Sequence, residues 1–300
     1  MKVERILTAT DFSRSAEAAV RRAALLAQAT GAALEIVHAV HLNAFSGVWR
    51  KLAADEGLTE ARVLGDAARR LDDLAADVVE RTGAARPATR VLHGRPPLAL
   101  AEQARESAAD LVVVGAHGEH LLYDLFVGAT ALKLLRLTTV PLLMVKQMPP
   151  FEYERVLVAT DFSIAARAAA DLAARLLPAA ELHLFHAYEV PFEREMYYAG
   201  AEDEAVDHYR RLGEAEAQHE MAAFVATLET PGRWVRRVRH GYAPALINRQ
   251  AAELGADLLV IGAHRQSGIA AALLGSVAAH LVIESRGDLL MAPTVADQSG

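Results

Sequence analysis

Cysteine is absent from all 300 residues, which removes disulfide frameworks, thiolate metal sites and cysteine nucleophiles together. That usage fits a reducing compartment. Aromatic residues make up only 6%, so any core must be filled mainly by aliphatic side chains. Long apolar runs are also missing. The longest stretch free of Asp, Glu, Lys and Arg, Gln266 to Ile283, is broken by Gly268, Gly275, Ser276 and His280, which predicts a loop and a buried helix and no membrane span. The opening Met1-Lys2-Val3-Glu4-Arg5 carries no apolar signal core, so a cytoplasmic location is expected. What is present is an ordinary globular mix, 53% hydrophobic and 23% charged, which excludes a disordered chain.

A length of 300 is about twice the commonest domain size, and an internal repeat accounts for it. Leu7-Thr8-Ala9-Thr10-Asp11-Phe12-Ser13 returns as Leu157-Val158-Ala159-Thr160-Asp161-Phe162-Ser163. Leu34 to Ala39 matches Leu182 to Ala187, and three later pairs follow: His93-Gly94 with His240-Gly241, Ala109-Asp110-Leu111 with Ala256-Asp257-Leu258, and Gly115-Ala116-His117 with Gly262-Ala263-His264. The join falls at Met148-Pro149-Pro150-Phe151, where two prolines stop any preceding element, so domains over 1–148 and 151–300 are expected.

Within each half, short β-branched runs alternate with longer segments of helical period, the pattern of parallel strands joined by helices. Strands are expected near 3–9, 33–39, 88–93, 111–115 and 141–145, with helices near 14–29, 56–82, 97–108 and 129–137; Ser13 or Ser15 could cap the first helix. The second half repeats the strands near 155–160, 181–187, 234–240, 258–262 and 288–292. Leu111 to Val114 and Leu258 to Ile261 are continuous apolar runs, as a strand covered on both faces requires. The implied fold is α/β, an open doubly wound sheet in each half, with 141–145 and 288–292 at sheet edges. Ligands of such sheets bind beyond the carboxyl ends of the strands.

Two readings of Thr10-Asp11 and Thr160-Asp161 stay open. An aspartate ending the first strand can accept hydrogen bonds from a ribose hydroxyl, or it can simply start the turn and cap the next helix. At the end of strand four, Gly115-Ala116-His117-Gly118 is followed by Gly128 at a helix start. Glycines allow a phosphate to approach the backbone, and free amides at a helix N-terminus complete an anion site.

These glycines and their spacing resemble the universal stress proteins over nearly the whole chain, in a tandem two-domain arrangement. The nucleotide-binding members of that family have glycine, two residues, glycine, nine residues, then glycine followed by serine or threonine. Here Gly115, Gly118 and Gly128 match, with Ala129 at the hydroxyl position and Thr130 one residue late; in the second half Gly262, Gly275 and Ser276 match, and Arg265 replaces the middle glycine. The resemblance implies two five-stranded sheets of strand order 3-2-1-4-5, like the adenine nucleotide alpha hydrolases, packed as an internal pseudo-dimer. It implies ATP or another adenine nucleotide as ligand, with magnesium as an optional counter-ion. It puts Asp11 and Asp161 on ribose, the backbone of Ala39 and Ala187 at adenine, Gly94 and Gly241 after strand three, and His117 within the phosphate loop.

The departures rank the two copies. Ala129 removes one hydroxyl donor, worth about 0.5–1.5 kcal/mol, which Thr130 can partly replace. Arg265 either blocks the backbone approach or supplies a guanidinium to phosphate. Residues 1–150 hold 18 Lys plus Arg against 17 Asp plus Glu, for +1, and residues 151–300 hold 13 against 21, for −8. All four lysines, Lys2, Lys51, Lys133 and Lys146, are in the first half, which is therefore expected to hold the better polyanion site.

Other motifs are set aside. His117-Gly118-Glu119-His120 lacks a third ligand, so no metal site is expected. His38 and His186 are expected to bond to nearby backbone. Arg233 to Arg239 reads as one strand with a polar face, and with a net charge of −7 no nucleic-acid partner and no membrane partner is expected. No catalytic elbow, Walker lysine or enforced carboxylate pair occurs, and no catalytic residue is named. Three readings remain: a nucleotide-binding stress-response regulator, a nucleotide-free interaction scaffold with unidentified protein partners, and a slow ATP hydrolase. A homodimer is compatible with each.

Overall fold

Leu111 to Val114 and Leu258 to Ile261, the two continuous apolar runs, form strands whose side chains are all buried. The computed structural model describes residues 2–41, 59–116, 128–149, 151–263 and 275–293, which fold as two units dividing between Glu152 and Tyr153.

The first unit runs β1 (Arg5–Ala9), α1 (Arg14–Thr30), β2 (Ala33–Val40), α2 (Glu60–Thr82), β3 (Ala88–His93), α3 (Pro96–Glu106), β4 (Leu111–Gly115), α4 (Ala129–Leu137) and β5 (Leu142–Val145). All its pairings are parallel and give the order β3-β2-β1-β4-β5. The second unit runs β6 (Arg155–Ala159), α5 (Ile164–Leu176), β7 (Glu181–Tyr188), α6 (Glu193–Tyr198), α7 (Asp203–Ala226), β8 (Trp234–His240), α8 (Ala243–Leu254), β9 (Leu258–Ala263), α9 (Ser276–Glu284) and β10 (Asp288–Pro293). Its order, β8-β7-β6-β9-β10, is the same once each strand is matched to its counterpart. In each unit the order reverses at the first strand: Ile6 lies opposite Leu34 and Leu111, and Val156 opposite Leu182 and Leu258. The carboxyl end of that strand is where an open α/β sheet leaves a crevice.

Helix ends follow local chemistry. Ser13 Oγ accepts from the Ala16 amide at 3.2 Å and caps α1, which ends at Gly31 in the left-handed conformation, φ 73°. Ser163 does the same for α5, accepting from the Ala166 amide at 3.1 Å. The helix expected over 97–108 instead spans Pro96–Glu106, because proline suits its first turn and Ala108, at φ 46°, ends it. The helix expected from 56 is described from Glu60, with Thr59 as its cap; 56–58 lie outside the described residues.

Arg233 to Arg239 does contain a strand, but its burial does not alternate. Only Trp234 is fully buried, and Val235 is exposed beside Arg236 and Arg237, because β8 is the outer strand of its unit, pairing with β7 alone. Arg233 precedes the strand and donates to the carbonyls of Ala174, Leu177, Pro178 and Ala180, so its guanidinium closes the C-terminal end of α5.

One repeated pair acquires a structural role. Asp110 Oδ2 accepts from the amides of Glu4 and Arg5 at 2.8 and 2.9 Å, and Asp257 accepts from those of Glu154 and Arg155 at the same distances. Each carboxylate fastens the start of its first strand to the start of its fourth. Asp110→Ala is expected to cost about 2 kcal/mol in urea unfolding, and a loss below about 0.5 kcal/mol would count against the clamp.

Candidate functional site

At the end of β1, Thr10-Asp11-Phe12-Ser13 forms a hydrogen-bonded turn. The Thr10 amide donates to the Val37 carbonyl at 2.9 Å and its Oγ1 accepts from the Phe12 amide at 2.9 Å, while Asp11 Oδ1 accepts from the Ser13 amide at 3.0 Å. The helix cap is therefore Ser13, and Asp11 braces the turn while its side chain stays exposed. Phe12 is held at φ 64°, a conformation that costs a non-glycine residue about 1–2 kcal/mol. Its ring packs 4.6 Å from His38 and 3.8 Å below the Arg70 guanidinium. His38 Nδ1 in turn donates to the Thr10 carbonyl at 2.7 Å.

The second unit copies this turn. Thr160 Oγ1 accepts from Phe162 at 2.9 Å, Asp161 Oδ1 from Ser163 at 3.1 Å, His186 Nδ1 donates to the Thr160 carbonyl at 2.7 Å, and Phe162 is at φ 62°. Both histidines bond to backbone, as the sequence indicates.

The glycines divide by physical role. A Cβ on Gly115 would stand 2.8 Å from the Ser15 carbonyl carbon, and one on Gly262 only 2.4 Å from that of Ala165. Both glycines let the fourth strand press against the first turn of the first helix. Gly94 and Gly241 sit at φ 119° and 128°, which side chains rarely adopt, and their amides donate to Val40 and Tyr188. Gly128 and Gly275 precede α4 and α9 at negative φ, with no side-chain cap on either helix. The Gly128 amide donates to the Ala116 carbonyl at 2.6 Å. Ala129 and Thr130 form the exposed first turn of α4, and Ser276 opens α9. Ala39 and Ala187 are the penultimate residues of the second strands, opposite Leu92 and Arg239. His117, Gly118 and Arg265 lie outside the described residues.

A cleft of about 720 Å³ opens at this end of the first unit. Ala129 and Thr130 line it, together with four basic residues that no motif announced: His41 after β2, Arg95 after β3, and Lys133 and Arg136 on α4. No carboxylate is among its described lining residues. Thr10, Asp11, Ala39, Gly94 and Gly115 are at neighbouring strand ends but are not in that lining.

The same positions in the second copy have different chemistry. His41, Arg95, Lys133 and Arg136 correspond to Glu189, Tyr242, His280 and Ile283. The rings of Tyr242 and His280 meet edge to face, with centroids 6.1 Å apart. The hollow of about 420 Å³ at the end of β7 includes Glu189, Glu216 and Glu220 in its lining. Beside it, Glu193 pairs with Arg210, whose pKa that hydrogen bond raises, and lies 2.7 Å from His240 Nε2. Burial is also the main reason that the Tyr188 phenol titrates above its ordinary value, with Glu214 adding to it.

Two open, doubly wound sheets with matching strand-end turns define a tandem α/β protein. The model of the Universal stress protein family matches residues 2–146 and again 152–293, so the chain belongs to that family and carries its domain twice. A universal stress protein in the QAH/OAS sulfhydrylase 3'region of Thermus aquaticus is 33% identical over 141 residues, which cover 47% of this chain and 97% of the relative. Among solved structures, a functionally unknown protein, PA1789, from Pseudomonas aeruginosa has a TM-score of 0.61 at 20% identity, covering 97% of this chain and 92% of its own. A universal stress protein from Archaeoglobus fulgidus also has a TM-score of 0.61, at 16% identity, covering 98% and 99%. Among the described residues, no helix is long and apolar enough to cross a membrane, and no group of three or more His, Asp or Glu side chains is placed to hold a metal ion.

Proposed function

We propose that the chain is a stress-response regulatory protein that binds ATP or a related adenine nucleotide in its first unit. The observation that carries the reading is the basic cleft beside the start of α4, where Arg95 and Lys133 face a ligand-sized space and the second copy places Tyr242 and His280. Polyanions are favoured where cations converge and no carboxylate intrudes. Asp11 would meet ribose with its carboxylate; Ala129 and Thr130 would meet phosphate with their amides, while Gly128 gives its own amide to the Ala116 carbonyl.

A second reading applies to the second unit, as a nucleotide-free scaffold for protein partners. The Tyr242–His280 pair and the carboxylates around the β7 hollow favour it. The steric role of Gly262 explains how part of a glycine motif persists without a ligand.

The test is to denature freshly purified protein, identify released nucleotide, and titrate ATP into wild type, Asp11→Ala and Arg265→Gly. Asp11→Ala is expected to weaken binding about tenfold, the worth of one charge-assisted hydrogen bond. Arg265→Gly is expected to leave the first site unchanged. Absence of binding to wild type at millimolar ATP would end the nucleotide reading.

A further inference from the structure

The cleft beside α4 has more than cations in it. Pro96, Pro97, Leu98 and Leu137 form its other wall, and Leu98 and Leu137 keep 55% and 43% of their surface exposed. A phosphate chain has no use for this wall. Phosphate is recognised by amides and cations, which are already supplied by the start of α4, Arg95 and Lys133. The two leucines of this wall are not repeated: Leu98 and Leu137 correspond to Ala245 and Glu284 in the second copy, where Pro97 is kept as Pro244 and Ile283 stands exposed in place of Arg136.

We propose that this cleft takes an amphipathic anion, a phosphate-bearing head held by Arg95 and Lys133 with an apolar chain lying along Leu98 and Leu137. Where the nucleotide reading above also holds, on which this version rests, the ligand is an adenine nucleotide carrying an acyl chain, of the acyl coenzyme A type. An alkyl phosphate has the same head and tail without the nucleotide. The volume of about 720 Å³ lies within the range of small-molecule sites. Enclosing methylenes against leucine and proline raises affinity up to about fourfold for each one fully buried.

The experiment is calorimetric titration of the full chain with ATP, coenzyme A, its butanoyl, octanoyl and dodecanoyl thioesters, and dodecyl phosphate, all below their micelle concentrations. Affinity is expected to rise at least about tenfold from butanoyl to dodecanoyl, and Leu98→Ser with Leu137→Ser should abolish that rise while leaving ATP binding unchanged. Both leucines are exposed, so the double variant should fold, which the unfolding transition checks. If ATP binds and the chain adds nothing, the proposal is overturned and the nucleotide reading stands. Binding of dodecyl phosphate, sensitive to the leucine changes, with neither ATP nor coenzyme A bound, upholds the amphipathic cleft and overturns the nucleotide. No binding by any of them overturns both.

Discussion

Gly262→Ala is expected to destabilise the second unit by about 3 kcal/mol or more, before any ligand is considered. The added Cβ would lie 2.4, 2.5 and 2.6 Å from the Ala165 carbonyl carbon, the Ala166 amide nitrogen and the Ala165 oxygen. These are backbone atoms of the first turn of α5. That turn is fixed by the Ser163 cap and by the Thr160-Asp161-Phe162 bonds at the end of β6, so it cannot move aside without releasing them. For a unit of this size the loss corresponds to a fall in Tm of roughly 6–12 °C in calorimetry. A fall of less than about 2 °C would mean that strand and helix can separate freely. Gly115→Ala should behave similarly but somewhat more mildly, because its nearest obstacle is the Ser15 hydroxyl at 2.6 Å and the backbone contacts are at 2.8 Å.

The second large effect concerns charge. Arg95→Glu with Lys133→Glu is expected to reduce ATP affinity at least about hundredfold, each cation contributing roughly 1.5–3 kcal/mol through a charge-assisted hydrogen bond. Neither residue has an ion-pair partner among the described residues, so stability should change by less than about 0.5 kcal/mol. Raising salt should weaken the wild type more than the double variant, because the screened attraction is already missing from the latter. Loss of affinity accompanied by an equal loss of stability would assign these residues to the scaffold instead.

Most of the fold was legible because its signals are local. Four consecutive buried aliphatic residues identified β4 and β9, and alternating short and long segments identified parallel crossovers. The repeat was equally legible, yet what it marks is largely scaffold. Asp110 and Asp257 hold strand starts, His38 and His186 hold the first turn, and Gly115 and Gly262 admit a helix. Each needs one residue type for a reason that is the same in both units.

The basic cleft is made of the opposite kind of residue. His41, Arg95, Lys133 and Arg136 come from three segments, have no common spacing and are not repeated. Only the strand order brings them together. The one signal that could have found them was the mismatch between the copies at Arg95 and Tyr242, immediately after the matched His93-Gly94 and His240-Gly241. The excess of lysine in the first half pointed the same way without naming positions. In Arg233 to Arg239 alternation placed the strand but not its burial, because an outer strand leaves both faces partly open and Arg233 is used to close a helix.

Counting the nucleotide bound per chain tests most directly whether the two units share a scaffold but not a site. Equilibrium dialysis of the full chain against labelled ATP should give one molecule per chain, and Arg95→Glu with Lys133→Glu should reduce that number to near zero at the same concentration. Two equivalent molecules per chain, or one that the double substitution leaves in place, would contradict the account.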